Sequence, residues 1–392
     1  MGQGFDYQQV TEANDSPRIR DVLFQTLNVP HKIWNSFADR IGLENFRVLR
    51  EDGRIIGGLG MYRMGQWFGG RRLASAGIAL VGVAPERRAQ GAAAHLMASV
   101  LRELYEDGTP LSTLYPSTQR LYRKVGYEPA GSQVRYELPI SSIGLNDHTL
   151  SIHQASPTER EPFDKLAHAR AKLTNGNLDR TQGLWQRIFS VPDKKVYAYL
   201  IGEPNEPQGY IIYYQDEPQS GPFHMHVRDM LSLTPAAGRR LWTFLADHRS
   251  VAESVIWYGP ANEPLLNLTS ECKVKTSWPS RWMLRIVDVK RALAERGYPL
   301  DVEGALHLEI RDDLLPANHG KFVLTVADGA AEVREGGRGD LRIDIRGLSP
   351  LYSGFFTPAI LRTTGQLEAN DRALSLATQI FAGPEPWMTE SI

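Results

Sequence analysis

The sequence predicts a mixed α/β protein of the α+β type, and three observations carry that prediction. The chain has 392 residues, more than one hydrophobic core normally holds, so at roughly 100 to 200 residues per domain it should form two or three domains. Two strand-like hairpins turn at the pairs Asp52-Gly53 and Gly69-Gly70. A strand ending at Val83, a helix ending near Gly108 and a strand in residues 110–116 then form a crossover, which implies a parallel pair.

Composition limits the classes of partner. Hydrophobic residues make up 42% and charged residues 23% of the chain, which is typical of a folded globular protein. The 44 basic and 45 acidic residues leave a net charge of -1, so no global field recruits nucleic acid or an anionic membrane. No stretch approaches the ~18 apolar residues of a membrane span. We therefore expect neither a nucleic-acid partner nor a membrane-spanning segment.

Cysteine and histidine usage points away from disulfides and metals. The single cysteine, Cys272, cannot form an internal disulfide, and the first ten residues lack the basic-then-apolar pattern of a secretory leader. Both observations predict a cytoplasmic protein. His224 and His226 could share one face of a strand, but no carboxylate or thiol partner is evident, so we expect no metal.

The chain should divide near residue 148, where a polar, turn-rich segment follows the first domain. The stretch Arg228–His248 then repeats the strand, proline and helix order of the first domain, and it keeps a proline at Pro235. The copy has no arginine three residues before its glycine, so any special chemistry of the first copy looks lost. We read a weak internal repeat and a second domain over 149–285.

The last predicted domain covers 286–392. A helix over Val289–Arg296 precedes strand-like alternation, and two helical stretches, LSPLYSGFF and RALSLATQIFAG, follow. Pro384 and Pro386 then exclude a helix and predict an extended C-terminal tail.

In the segment VAPERRAQGAAAHLM, Val83–Met97, we expect a helix to begin at Gly91 without a side-chain cap. Gly91 and the small residues Ala92, Ala93 and Ala94 expose the backbone N–H groups of the first turn, where the helix dipole is positive. Arg88, with Arg87, adds charge-assisted hydrogen bonds. A helix start of this kind is a binding site for an anion such as a phosphate.

Three motifs in succession resemble the GCN5-related N-acetyltransferase superfamily. They are the strand Val81-x-Val83, the loop Arg88-x-x-Gly91-x-Ala93 and the turn Tyr122-x-x-x-Gly126-Tyr127. The motif LYRKVGYEPAG and the order of the three predicted domains narrow the resemblance to the Eis family, the enhanced intracellular survival acetyltransferases. That family has two tandem GNAT-like domains, the second degenerate, followed by a sterol-carrier-protein-like α/β domain. The resemblance covers essentially the whole chain.

The resemblance implies acetyl-CoA as cosubstrate, with no metal, and names the residues that would hold it. Strand backbone would contact the pantetheine arm, the loop and first turn would hold the pyrophosphate, and two residues before the next helix would lie beside the cofactor. The positions are Val81, Gly82, Val83, Arg88, Ala89, Gln90, Gly91, Ala92, Ala93, Ala94, Ser117 and Thr118. The alternative for Ser117 is a plain helix N-cap.

The resemblance also implies two catalytic groups. Tyr122 matches the general acid that protonates the thiolate leaving group, although it could also be an aromatic residue packed in the core. Tyr127 is expected to be a packed residue after the Gly126 turn. The C-terminal carboxylate, here of Ile392, is thought to act as base or to orient a cation. The family's usual aromatic terminus is absent, which makes Glu390 a rival base.

The implied reaction is direct acetyl transfer to an amine of a cationic acceptor, such as an aminoglycoside, a polyamine or a lysine side chain. Aromatic and acidic residues at helical spacing could line its pocket, although the aromatic pair could equally be core: Trp34, Phe37, Asp39 and Glu44. The alternative function is a non-catalytic protein that binds lipid or another small molecule in the sterol-carrier-like domain. A homo-oligomer, specifically a hexamer, is implied by the resemblance alone.

Overall fold

The computed structural model describes residues 4–10, 15–28, 34–156, 158–217, 221–269, 271 and 273–392. Cys272 lies outside the described residues. The chain forms two compact units. The first comprises Met1–Gly131, Arg281–Pro386 and Glu390–Ile392, and the second comprises Ser132–Ser280 and Trp387–Thr389.

The N-terminal part of the first unit is a mixed sheet with a helical crossover. Its elements are β1 (Asp6–Gln9), α1 (Asp15–Leu27), α2 (Trp34–Ile41), β2 (Phe46–Glu51), β3 (Arg54–Phe68), β4 (Arg71–Val83), α3 (Ala92–Glu106), β5 (Leu111–Leu114), α4 (Gln119–Arg123) and the start of β6 (Glu128–Pro139). Strands β1 to β4 pair antiparallel in sequence order, and β4 pairs with β5 in parallel. The predicted parallel crossover is confirmed.

Both predicted hairpin turns are present. Asp52 and Gly53 have φ of 49° and 75°, and Gly69 and Gly70 have φ of 58° and 78°. Two successive residues with positive φ are the signature of the type I′ turn, whose twist matches that of the flanking strands. Asp52 accepts this conformation because Asp, like Asn, tolerates the left-handed region better than most residues.

The second unit repeats the crossover. Its elements are the rest of β6, then β7 (Ile152–Gln154), α5 (Glu161–Lys172), β8 (Leu178–Asp179), α6 (Gln182–Phe189), β9 (Val196–Glu203), β10 (Glu206–Gln215), β11 (Phe223–Ser232), α7 (Pro235–Ala246), β12 (Ala252–Gly259) and β13 (Lys275–Thr276). The strand order is β6-β12-β11-β10-β9-β7. Strands β11 and β12 are parallel, with α7 between them in the chain, as β4, α3 and β5 are in the first unit.

The C-terminal part of the first unit has its own sheet. This part of the chain begins with β14 (Ser280–Ile286), which pairs antiparallel with β5. Its further elements are α8 (Val289–Glu295), β15 (Gly304–Arg311), β16 (Gly320–Ala327), β17 (Ala330–Glu335), β18 (Leu341–Asp344), α9 (Ile345–Ser353), α10 (Pro358–Thr363), β19 (Leu367–Ala369) and α11 (Asp371–Ile380). The five strands have the order β17-β16-β15-β18-β19. Helix α10 is additional to the two predicted helices; Thr357 caps it and Pro358 occupies its first turn.

The core of the N-terminal part lies between the sheet and α3. The apolar face of α3 is buried, and it packs with Met61, Ala76 and Ile78 of the sheet and with Met283 of β14. The tail after Phe381 contains no helix, as its prolines predict. Within the second unit, Asn177 Nδ2 donates to the carbonyl of Trp387 at 2.9 Å.

In the described part of the chain, every helix is too short or too polar to cross a membrane.

Candidate active site

A gap opens in the sheet of the first unit where β4 and β5 separate. The two strands pair only from Ser75 to Gly77 on β4, and β4 then continues to Val83. Between Ala79 and Gly82, β4 carries one residue more than β3 does, and Leu80 has φ of 57°. A bulge of this type bends its strand. The backbone from Val81 to Val83 therefore turns away from β5 and is placed beside the gap.

Helix α3 begins without a side-chain cap, as predicted. Gly91 occupies the N-cap with φ of 87°, and no side chain accepts from the first-turn amides. A Cβ added at Gly91 would meet no atom within 4 Å, so the space above the amides is open. The free N–H groups and the positive dipole end suit a phosphate group. The site therefore fits the pyrophosphate of acetyl-CoA on the chemistry of its donors.

The open space is a cavity of about 470 Å³. Eight predicted cofactor residues line it: Val83, Arg88, Ala89, Gly91, Ala92, Ala93, Ala94 and Thr118. Val81, Gly82, Gln90 and Ser117 do not line it. Gln90 lies on the exposed loop, where its Nε2 donates to the carbonyl of Glu86 at 3.3 Å.

Sequence reasoning missed part of this lining, namely Arg120, Leu121 and Lys124 of α4 and its last turn. Arg120 and Lys124, together with Arg88, bring three exposed cations to the cavity. Arg87 also lines it but is paired with Glu51, with 2.9 Å between Nε and Oε2. Arg120 and Lys124 are four residues apart, and this helical spacing in TQRLYRK was the signal that could have found them.

The corresponding helix of the second unit has a closed start. Thr234 is the N-cap of α7, and its Oγ1 accepts from the N–H of Ala237 at 3.2 Å. Pro235, in the first turn, has no N–H to offer an anion. Helix α7 thus does not reproduce the uncapped start that α3 presents.

Tyr122 lies on α4 and is only 4% exposed, packed in the core beside α3. Its ring makes an edge contact with Tyr127, with 6.1 Å between centroids. Burial raises the pKa of Tyr122 above its ordinary value of 10, while a hydrogen bond with Ser117 opposes that rise. The phenol therefore keeps its proton at neutral pH, as a general acid must.

The alternative role for Ser117 as the N-cap of α4 is wrong. Thr118 occupies that position, with extended backbone and no side-chain cap. Tyr127 is fully buried, as expected, and directly precedes β6.

Ile392 lies against the point where the strands separate. A Cβ added at Gly77, the last residue of β4 that pairs with β5, would be 2.8 Å from Ile392 Cδ1 and 2.9 Å from Met64 Cε. Adjacent residues of a strand face opposite sides of the sheet. Ile78 packs in the same core as Tyr122, so Ile392 and Tyr122 lie on opposite faces of the sheet. Glu390, also in the first unit, is 7% exposed.

The expected acceptor residues do not form one cluster. Trp34 is 4% exposed and packs on Phe24 and Phe46 at 5.8 and 5.3 Å between ring centroids, so it belongs to the core. Phe37 is half-buried beneath the guanidinium of Arg40, 4.8 Å from the ring centroid.

Asp39 is exposed on α2, but Glu44 lies outside the helix. The helical spacing expected for Glu44 is wrong because Gly42, with φ of 83°, ends α2 before it.

His224 and His226 lie on β11, and the structure adds a carboxylate that the sequence did not reveal. His226 Nε2 is 3.4 Å from Asp216 Oδ2, while His224 Nδ1 is 2.8 Å from Ser254 Oγ. Among the described residues, no three His, Cys, Asp or Glu side chains are grouped so that they could hold a metal ion.

Comparisons with known proteins bear on this geometry. Residues 7–130 and residues 176–286 match two different models of an acetyltransferase (GNAT) domain, and residues 289–389 match the model of a sterol carrier protein domain. The crystal structure of a GCN5-related N-acetyltransferase from Anabaena variabilis is 43% identical, with a TM-score of 0.96 over 98% of this chain and 99% of that one. The N-acetyltransferase Eis of Mycobacterium tuberculosis is 27% identical over 77% of this chain and 76% of its own length.

The chain belongs to the GCN5-related N-acetyltransferases, and its homologues include the Eis N-acetyltransferases. The fold of Eis1 from Mycobacterium abscessus agrees, with a TM-score of 0.83 over 99% of this chain and 100% of that chain at 23% identity. As a GCN5-related N-acetyltransferase with two GNAT domains, the chain is an acetyltransferase with acetyl-CoA as its cosubstrate and an amine as its acceptor. The predicted mixed α/β class, with two GNAT domains and a sterol-carrier-protein-like domain, is confirmed.

Proposed function

We propose that this enzyme transfers acetyl directly from acetyl-CoA to an amine of a cationic acceptor, which is aminoglycoside-like, polyamine-like or a lysine side chain. The observation that carries the proposal is the position of Ile392 against Gly77. The side chain of Ile392 lies beside the residue at which β4 and β5 separate, so the terminal carboxylate would stand near that point, with Glu390 two residues before it in the chain. Negative charge beside the gap favours an acceptor that carries positive charge.

The cosubstrate would be held by groups already described. Arg88, Arg120 and Lys124 would balance its phosphates, and the N–H groups after Gly91 would hydrogen-bond the pyrophosphate. The backbone of Val81, Gly82 and Val83 would hydrogen-bond the pantetheine arm. When bound, acetyl-CoA supplies a thioester carbonyl for attack by the amine.

The protein's part in the chemistry is proton transfer and orientation. The acceptor amine must lose its proton before it attacks, and the C–N bond then forms as the C–S bond breaks. The phenol of Tyr122, kept protonated by burial, donates its proton to the leaving sulfur and regains a proton from the acylated nitrogen. A chain-terminal carboxylate has a pKa of about 3.5, which makes it a weak base. Its stronger role is to attract and orient the ammonium form, and the excess proton passes to Glu390 or to water.

The largest of the cavities found in the C-terminal domain does not favour the lipid-binding alternative. It has a volume of about 1070 Å³ and is lined mainly by charged and polar side chains, including Glu303, His307, Arg338 and Arg372. Lipid cavities are lined mainly by apolar groups.

We also propose the division into a catalytic domain, 1–148, a degenerate second GNAT-like domain, 149–285, and a sterol-carrier-protein-like domain, 286–392. The segments matched by the family models, 7–130, 176–286 and 289–389, support it. A homo-oligomer, in particular a hexamer, and a cytoplasmic location complete the proposal; they rest on the family resemblance and on cysteine usage.

Acetyl transfer to a panel of acceptors tests the proposed function. Purified protein is mixed with acetyl-CoA and with an aminoglycoside, a polyamine, a lysine peptide or a neutral monoamine, and both free CoA and acetylated product are measured. We expect the cationic acceptors to be acetylated with a higher kcat/KM than the neutral amine. Acetylated protein that accumulates without acceptor and then passes acetyl to the amine would contradict direct transfer. A preference for the neutral amine would contradict the cationic acceptor.

A further inference from the structure

Arg285, on β14, is a charged side chain with no solvent exposure. Its Nη2 donates to Asp312 Oδ2 at 2.6 Å, its Nη1 to the carbonyl of Ile286 at 2.9 Å, and its Nε to the carbonyl of Val125 at 3.0 Å. Burial lowers the pKa of Arg285, and the ion pair with Asp312 opposes that fall. The guanidinium thus joins a backbone carbonyl after α4 to a carboxylate of the C-terminal domain.

The carboxylate is itself held firmly. Asp312 Oδ1 accepts from the N–H groups of Leu314 and Leu315 at 3.0 and 3.2 Å, and its Oδ2 also accepts from Asn318 Nδ2 at 3.0 Å. Asn318, 1% exposed, donates to the carbonyl of Val287 and accepts from the N–H of Val289. A buried network with its partners in place is rigid and fixes the orientation of its members.

The turn that Arg285 holds is the one that follows Tyr122. The carbonyl of Tyr122 accepts from the N–H groups of Val125 and Tyr127, both at 3.1 Å. Between them, Gly126 has φ of 92°, and a Cβ there would lie 2.7 Å from Arg285 Nε. The guanidinium therefore packs directly against the turn, and the glycine is needed both for its φ and for this close approach.

The turn is also tied to β4 beside the gap. The hydroxyls of Tyr127 and Ser112 are 2.7 Å apart, and Ser112 Oγ donates to the carbonyl of Ala76 at 3.0 Å. Ala76 directly precedes Gly77, the residue that Ile392 contacts. The backbone around Tyr122 is thus fixed on one side by the sheet and on the other by Arg285.

We propose that Arg285, held by Asp312 and Asn318 of the C-terminal domain, is a positioning residue for acetyl transfer that fixes the Val125–Tyr127 turn and thereby the phenol of Tyr122. This inference rests on the proposed role of Tyr122 as the general acid. It gives the sterol-carrier-like domain a role in the reaction, which is to hold in place the turn that follows α4, the helix that carries Tyr122. Stabilisation alone does not account for the buried ion pair, since apolar residues of equal volume often replace such pairs without loss of stability.

The test is a double-mutant cycle with a matched control. Arg285→Lys keeps the charge, but a single ammonium cannot reproduce the planar fork that serves Val125 and Asp312 together. Arg296→Lys is the control, because Arg296 is also buried, at 1% exposure, and lies against Tyr298, Tyr352 and Phe381 of the C-terminal domain. For each variant we measure kcat, the Kd of acetyl-CoA and Tm, in the parent and in the Tyr122→Phe background.

We expect Arg285→Lys to lower kcat by roughly 10- to 100-fold with the Kd of acetyl-CoA nearly unchanged, because a misplaced catalytic group costs rate and not cofactor binding. Arg296→Lys should lower Tm without that loss of kcat. In the Tyr122→Phe background, Arg285→Lys should lower kcat little further. Asp312→Asn serves in the same cycle if Arg285→Lys does not fold.

Two outcomes overturn the inference in distinguishable ways. If Tyr122→Phe lowers kcat but Arg285→Lys multiplies that loss in full, Arg285 does not act through Tyr122 and only the positioning role fails. If Tyr122→Phe retains the parent kcat, the general acid of the proposed function is wrong and the inference fails with it.

Discussion

Replacing Gly77 with alanine tests whether the chain terminus has to lie where the structure places it. Gly77 has ordinary strand backbone, so the substitution introduces no conformational strain, and its only direct effect is one methyl group. That methyl would be 2.8 Å from Ile392 Cδ1 and 2.9 Å from Met64 Cε. Both atoms are the ends of flexible side chains, and we expect these to move while the sheet stays in place.

The size of the shift follows from the contact distances. Ordinary contacts begin at 3.4 Å, so Ile392 Cδ1 must retreat by 3.4 − 2.8, or about 0.6 Å. A misplacement of about 1 Å in a catalytic group can cost ~10²-fold in rate, so we expect kcat to fall roughly tenfold. Overpacking of this kind typically costs 1–3 kcal/mol in a rigid core, and about 1 kcal/mol or less is expected against movable side-chain ends.

The assay measures kcat from the release of free CoA with a cationic acceptor, and the Kd of acetyl-CoA by calorimetric titration. Ile392→Val removes Cδ1 and leaves the terminal carboxylate, so the double variant Gly77→Ala/Ile392→Val should recover most of the lost kcat. Gly60→Ala is the control, since its methyl would approach Ile41 Cδ1 at 2.9 Å, on α2 instead of the tail. Parent kcat in Gly77→Ala, or no recovery in the double variant, would refute the reasoning.

Three further predictions concern the anion site, the terminus and pH. Gly91→Glu should weaken CoA binding by ~10²-fold or more in calorimetric titration, because its carboxylate repels the phosphates. Gly91→Gln has the same backbone strain and should weaken CoA binding far less. Equal CoA affinities of the two variants would show that this loop does not bind the phosphates. A few residues appended after Ile392 should lower kcat more than Glu390→Gln does, and acetyl-CoA binding should be preserved in both variants. Full activity in an enzyme extended at its C-terminus would show that the terminal carboxylate has no role. The free energy of unfolding, measured in urea, should fall above pH 10, because burial raises the pKa of Tyr122, Tyr127 and Tyr298 in the folded protein. The stabilisation from these neutral phenols is complete below the unfolded-state pKa of about 10 and is lost as pH rises through the folded-state pKa. A free energy of unfolding that stays constant up to pH 12 would contradict this prediction.

The anion site could be found from sequence because it is made of neighbours in the chain. Arg88, Gly91 and the alanines act through backbone N–H groups of one helix turn, and eight of the twelve residues named for the cofactor line the cavity. Arg120 and Lys124 were missed because they reach that cavity from α4, a different element. The acceptor residues were misplaced for a related reason, since helical spacing cannot show that Gly42 ends α2 or that the packed face of Trp34 points into the core.

Local pattern thus determined the hairpin turns, the parallel crossover, the uncapped start of α3 and the family, because each depends on residues close together in the chain. Only the tertiary structure decided three other features: the bulge at Leu80 that opens the gap, the contact of Ile392 with Gly77, and the buried path from Val125 through Arg285 to Asp312. The contact of Ile392 with Gly77 and that of Arg285 with Val125 join residues separated by 160 positions or more. Such contacts form only when distant parts of the chain pack together in the folded core. The free energy that favours them therefore comes from the complete tertiary structure and cannot be read from a local segment of the sequence.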